Sequence, residues 1–108
     1  MSSEMNLLLQ TLYVIVNVAT GSLKHKECIL NSKVLTEHLY KYLGHRDSGI
    51  KVATIWAIIN LTWQDADVMV PMDVLHEMGF ASRLRELLND GDADVRGRAK
   101  TCLEHFEH

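Results

Sequence analysis

Two short stretches each set an aromatic ring four residues before an asparagine: Tyr13 and Asn17 in YVIVN, Trp56 and Asn60 in WAIIN. On a helix, residues four apart share a face, so each ring would stand beside its amide. An asparagine amide offers two donors and an acceptor. It suits the N–H and C=O of an extended partner backbone, while the neighbouring ring walls a pocket for that partner's side chains. Neighbouring helices pack about 10 Å apart, and an extended chain advances about 3.3 Å per residue. Two such pairs on adjacent helices would therefore meet every third residue of the partner. The competing reading makes the tryptophan a filler between helices and the asparagine a cap for a loop, because rings on helix faces are usually core. Recurrence of the pair in register, 43 residues apart, favours the ladder.

Other chemistry fares less well. His25-x-x-Cys28 and Cys102-x-x-His105-x-x-His108 have spacings that suit metal ligands on one helix face, but they lie far apart in the chain. Cys102 also falls in a small apolar slot that Ala57 fills 45 residues earlier, which makes it core. DGDAD at 90–94 fails as a calcium loop: Val95 stands where the glycine belongs and Thr101 where the closing glutamate belongs. It reads as an acidic helix start. No nucleophile elbow, phosphate loop or paired-acid motif occurs, so no catalytic residue and no cofactor is expected. Arg83, Arg85, Arg96, Arg98 and Lys100 form the one basic concentration. They read as solvated faces balanced by Glu86, Asp90, Asp92 and Asp94; the alternative is a patch for an acidic partner tail or nucleic acid.

The totals set limits. A chain of 108 residues, 47% apolar with one proline and six glycines, is a single globular domain. A net charge of −3 disfavours nucleic acid. No uninterrupted apolar run spans a membrane, and MSSEM lacks the basic start of a signal peptide. The two separated cysteines read as reduced thiols of a cytosolic or nuclear protein.

The pairs must be positioned by helices. Apolar residues recur with one helical stripe at Leu7, Thr11, Val14, Ile15 and Val18, again at Ile50, Thr54, Ala57, Ile58 and Leu61, and again at Val95, Ala99, Cys102, Leu103 and Phe106. Two shorter segments precede the second copy, LKHKECIL and KVLTEHLYKYL. Two more, PMDVLHEM and FASRLRELL, precede the third. Asp47 and Asp92 sit where a carboxylate caps the long helix, Pro71 suits a first turn, and Gly79 separates two helices. The unit is short helix, helix, long helix, with a period of about 44 residues, inside the range of α-solenoid repeats. The expected architecture is an all-α solenoid of about two and a third repeats: a partial repeat over 5–21, then 23–63 and 71–108. The last helix is polar outside its stripe, as a terminal cap is. The first is apolar nearly all round, which predicts an interrupted N-terminal end and self-association through its open face. In the third copy Thr101 and His105 stand where aromatic and asparagine belong, so the ladder stops there or His105 supplies a weaker polar contact.

WAIINL, with GFASRLRELLNDGDADVRGRAKTCLEHF, resembles the armadillo repeat of importin alpha and beta-catenin over nearly the whole chain. That resemblance implies a right-handed superhelix of three-helix repeats. It also implies that Tyr13, Asn17, Trp56 and Asn60 hold an extended peptide, with Arg98, Thr101 and His105 continuing the surface. Shorter stretches, YVIVNVATG, KYLGH, INLTW and LHEMGF, are similar to armadillo subunits of the CTLH (GID) ubiquitin ligase. They imply a non-catalytic, cytoplasmic and nuclear scaffold that holds a substrate receptor by its chain terminus. An importin-like carrier of basic peptides would need acids beside the ladder, where Lys51, Arg96, Arg98 and Lys100 stand instead.

Overall fold

In the computed structural model, which describes residues 3–19, 23–63, 70 and 72–107, helices form where the apolar period places them. They are α1 (Ser3–Ala19), α2 (Leu23–Leu30), α3 (Lys33–Leu43), α4 (Ser48–Leu61), α5 (Asp73–Met78), α6 (Phe80–Leu87) and α7 (Ala93–Glu104). No strand occurs among the described residues. This all-helical architecture is compatible with an armadillo-like fold. Pro71 lies outside the described residues.

The long helices begin as their sequences dictate. Asp47 accepts the Ile50 N–H at 3.1 Å, and Asp92 accepts those of Asp94 and Val95 at 2.9 and 3.1 Å. Each thereby satisfies donors that a first helical turn leaves open. Gly79 ends α5 with φ +87°, a left-handed conformation that costs other residues about 1–2 kcal/mol. Ser32 caps α3 through the Leu35 N–H, a role its sequence context did not advertise.

α4 lies between α1 and α7 and also packs on α3. It buries Ile50, Thr54, Ile55, Ala57, Ile58, Ile59 and Leu61. Its expected stripe is buried throughout, as is that of α7 at Val95, Ala99, Cys102, Leu103 and Phe106. The first copy differs. Leu7 and Val14 are 66% and 60% exposed, Thr11 is exposed, and only Ile15 of the stripe is buried; the Val18 side chain is not described. α1 buries Leu12 and Ile15 against its neighbours instead. α4 packs on the preceding helix α3 and α7 on the preceding helix α6, and among the described residues no helix holds that place before α1.

Aromatic and polar contacts tie α3 to α6 and α4 to the α6–α7 turn. Tyr40 of α3 stacks on Phe80 of α6, centroids 5.4 Å apart, and the Arg83 guanidinium lies 4.9 Å from the Tyr40 centroid. Arg83, read from sequence as solvated, is half-buried there. In the α6–α7 turn, Asp90 Oδ1 accepts the Asp92 N–H at 3.0 Å while Oδ2 pairs with the Lys51 ammonium of α4. Both members of that ion pair are largely enclosed.

The Lys51 hydrogen bond, then the Asp92 N–H, hold the Asp90 carboxyl below its ordinary value of 3.8. A lowered folded-state value means that the stabilisation is complete above the ordinary value and is lost as pH falls through the lowered one. Urea denaturation of wild type and Asp90→Asn should therefore show a stability gap that is steady near neutrality and closes below pH 3.8. A gap unchanged down to about pH 2 would rule out the pair as its source.

Candidate functional site

α1, α4 and α7 each follow the apolar rule on the sides they bury, and this decides which residues remain outward. On α4 the buried set leaves Trp56 44% exposed and Asn60 half-buried. On α1, Tyr13 is 61% exposed and Asn17 is exposed. Both rings of the expected ladder are thus on the surface of adjacent, packed helices. Trp56 is not a core filler.

The Asn60 amide is tied to the backbone of its own helix. Asn60 Nδ2 donates to the Trp56 carbonyl at 3.0 Å, one turn back along the helix. That bond uses one of its two amide hydrogens and leaves its oxygen as an acceptor. Among the described residues this amide bonds its own helix and no loop group.

From α7, the Arg98 guanidinium lies 5.0 Å from the Trp56 ring centroid, within cation–π range. Arg98 is steadied by Asp94, which accepts from its Nε at 3.1 Å. Thr101 is exposed, its hydroxyl donating to the Gly97 carbonyl at 3.2 Å. His105 takes a different place. α7 ends at Glu104, so His105 falls in the cap position rather than on the helix face. Its Nδ1 lies 2.8 Å from Thr62 Oγ1 and its ring meets Trp63 edge-on at 5.9 Å. Because the Thr62 hydroxyl donates to the Ile58 carbonyl at 2.8 Å, its oxygen is free to accept from a His105 Nδ1–H. The structure joins Trp56, Asn60 and Arg98 directly and sets His105 against the C-terminal end of α4.

Lys26 and Trp63 escaped the sequence reading. Lys26 on α2 is buried, and its ammonium donates to the Trp63 carbonyl at 2.9 Å, just beyond α4. Its signal was a lysine one turn before Leu30, on the helix's apolar side. Of the other residues in the basic concentration, Arg85 pairs with Glu107 and Arg96 donates to the Asp90 carbonyl.

The metal spacings gather nothing among the described residues: no three His, Cys, Asp or Glu side chains there could hold an ion. Burial pushes the Cys102 thiol up to about 12, far from the thiolate a metal requires. His25 and Cys28 border an open groove of about 390 Å³ with Thr11, Val14, Ile15, Ile29 and Leu35, almost wholly apolar. No helix is long and apolar enough to cross a membrane, among the described residues.

The chain is 33% identical over 98 residues to Armadillo repeat-containing protein 8 of Danio rerio, and 30% and 29% identical to the proteins of that name from Mus musculus and Xenopus laevis. Each match covers 90% of this chain but 14% of the relative. No family model matches the chain, and neither does any solved structure. The relatives support the armadillo-repeat resemblance.

Truncating a fully buried tryptophan costs about 3–5 kcal/mol. With Trp56 44% exposed, Trp56→Ala should cost less than about 3 kcal/mol in urea denaturation. Loss of the full core value would show that the ring supports the fold rather than the surface.

Proposed function

We propose that the chain is an armadillo-type module of about two and a third repeats, over 5–21, 23–63 and 71–108, that binds protein and does no chemistry. Its long helices α1, α4 and α7 would form the inner wall of a right-handed superhelix. Tyr13, Asn17, Trp56 and Asn60, with Arg98 and Thr101, would grip an extended partner segment, and His105 would hold the α4 end in place. The observation that supports this most is the exposure of Tyr13 and Trp56 on helices that pack side by side. Rings kept out of water-excluded packing are available to a partner.

The partner best matched to the resemblance in YVIVNVATG, KYLGH, INLTW and LHEMGF is the substrate receptor of a CTLH/GID ubiquitin ligase, in cytoplasm and nucleus. The importin-like alternative, a carrier of basic peptides, is disfavoured by charge: α4 carries no carboxylate, and α1 none between residues 7 and 17. The open side of α1, with Leu7 and Val14 exposed, would also support self-association.

Two measurements check this reading. A pull-down with the chain as bait, read by mass spectrometry, should recover ligase subunits. Asn60→Ala should weaken that capture about two- to tenfold, the worth of one backbone-directed hydrogen bond, with the helical circular dichroism unchanged. Full capture by the folded variant would assign the amide to the helix alone. In light scattering, the mass should rise with concentration; a constant monomer mass would remove the self-association.

A further inference from the structure

We propose that Arg98 gives the Trp56 rung a charge preference, so that the segment it binds places an acidic side chain there. This rests on the reading of Trp56 and Asn60 as a peptide-gripping pair. The geometry is specific. Arg98 reaches across from α7 to lie 5.0 Å from the Trp56 ring centroid. Asp94 holds its Nε, and the two Nη groups have no hydrogen-bond partner among the described residues. A guanidinium presents five donors in a planar fork that matches a carboxylate. The Arg98 side chain is 38% exposed, so a partner carboxylate could reach those donors while its methylene stem packs on the exposed part of the indole.

The surroundings point the same way. A second cation brought to Trp56 would meet a ring whose quadrupole already faces a guanidinium, and would meet that like charge at close range. Asp94 offsets part of that charge through Nε and leaves the Nη edge of Arg98 open. α4 has no acidic residue, and α1 has none over residues 7–17. On α7 the carboxylates are Asp94, already bonded to Arg98, and Glu104 at the far end. Lys51, the one charge on α4, is neutralised by Asp90. The rung is therefore aromatic and amide-bearing, with the open Nη donors of Arg98 beside the ring. It discriminates by sign, where the amide alone would bind backbone regardless of sequence.

The test is a displayed library of random twelve-residue peptides panned against the full chain, with Trp56→Ala as counter-screen. Wild type should enrich peptides bearing Asp or Glu, with the carboxylate peptide binding about tenfold tighter than its Gln counterpart, as for a charge-assisted hydrogen bond. Arg98→Glu, checked for helical content by circular dichroism, should turn the enrichment toward Lys and Arg. Arg98→Gln should lose the preference without reversing it, which covers the case of a poorly folded charge-reversal variant. Trp56-dependent binding with no acidic preference would overturn the role of Arg98 and leave the gripping surface standing. Absence of any Trp56-dependent peptide would overturn both.

Discussion

A helix that is apolar on nearly every side can exist in water only if other helices enclose it, and α4 is such a helix. Between Ser48 and Leu61 it has a single charged residue, Lys51. Seven of its residues are buried, spread around the axis rather than confined to one stripe. Enclosure by α1, α3 and α7 satisfies that demand, because burying apolar surface is the dominant favourable term in folding. The sides left over are then few, and Trp56 and Asn60 occupy one of them. The candidate surface is thus a by-product of how the core must close.

Apolar packing alone is non-directional and would allow α4 to slide. Polar contacts pin it near both ends. Toward the N-terminus, Lys51 is held by Asp90 from the α6–α7 turn. Just past the C-terminus, Lys26 of α2 binds the Trp63 carbonyl, and Thr62 meets His105. A buried ammonium on a carbonyl at a helix end also answers the partial negative charge that collects there. Trp56 and Asn60 lie between these pins. A surface held in that way loses little conformational freedom when a partner arrives, which favours binding.

Much of this was legible in the sequence, for a physical reason. The helix period, the capping aspartates and the left-handed glycine are local: each is decided within a few residues, so Asp47, Asp92 and Gly79 could be assigned from their neighbours. The pair of rings was legible because it repeats. What stayed hidden depends on the third dimension. Lys26 meets Trp63 and Lys51 meets Asp90 only through packing, at separations of 37 and 39 residues. The stripe on α1 differs from its copies because a stripe records what a helix is able to bury, not whether a neighbour is present to cover it; the all-round apolar sequence of that helix predicts such an open face. Arg98 looked like a solvated charge since its target, Trp56, lies on another helix.

The repeat also shows how a shared backbone device can carry unequal chemistry. His45 and Asp90 hold the same place, two residues before a capping aspartate. Each accepts that aspartate's N–H at 3.0 Å, one through Nδ1 and the other through Oδ1. The turn needs only an acceptor, so either residue serves. Only the carboxylate has a second oxygen with negative charge, and it takes Lys51. An imidazole accepting at Nδ1 carries its hydrogen on Nε2 and cannot hold a cation there. On α1 the residue matching Lys51 is Leu8, which packs against the core instead. An ion pair runs from α4 to the α6–α7 turn, while among the described residues α1 meets its neighbours through Leu8, Leu12 and Ile15. Register is fixed more sharply at the junction where Arg98 covers Trp56.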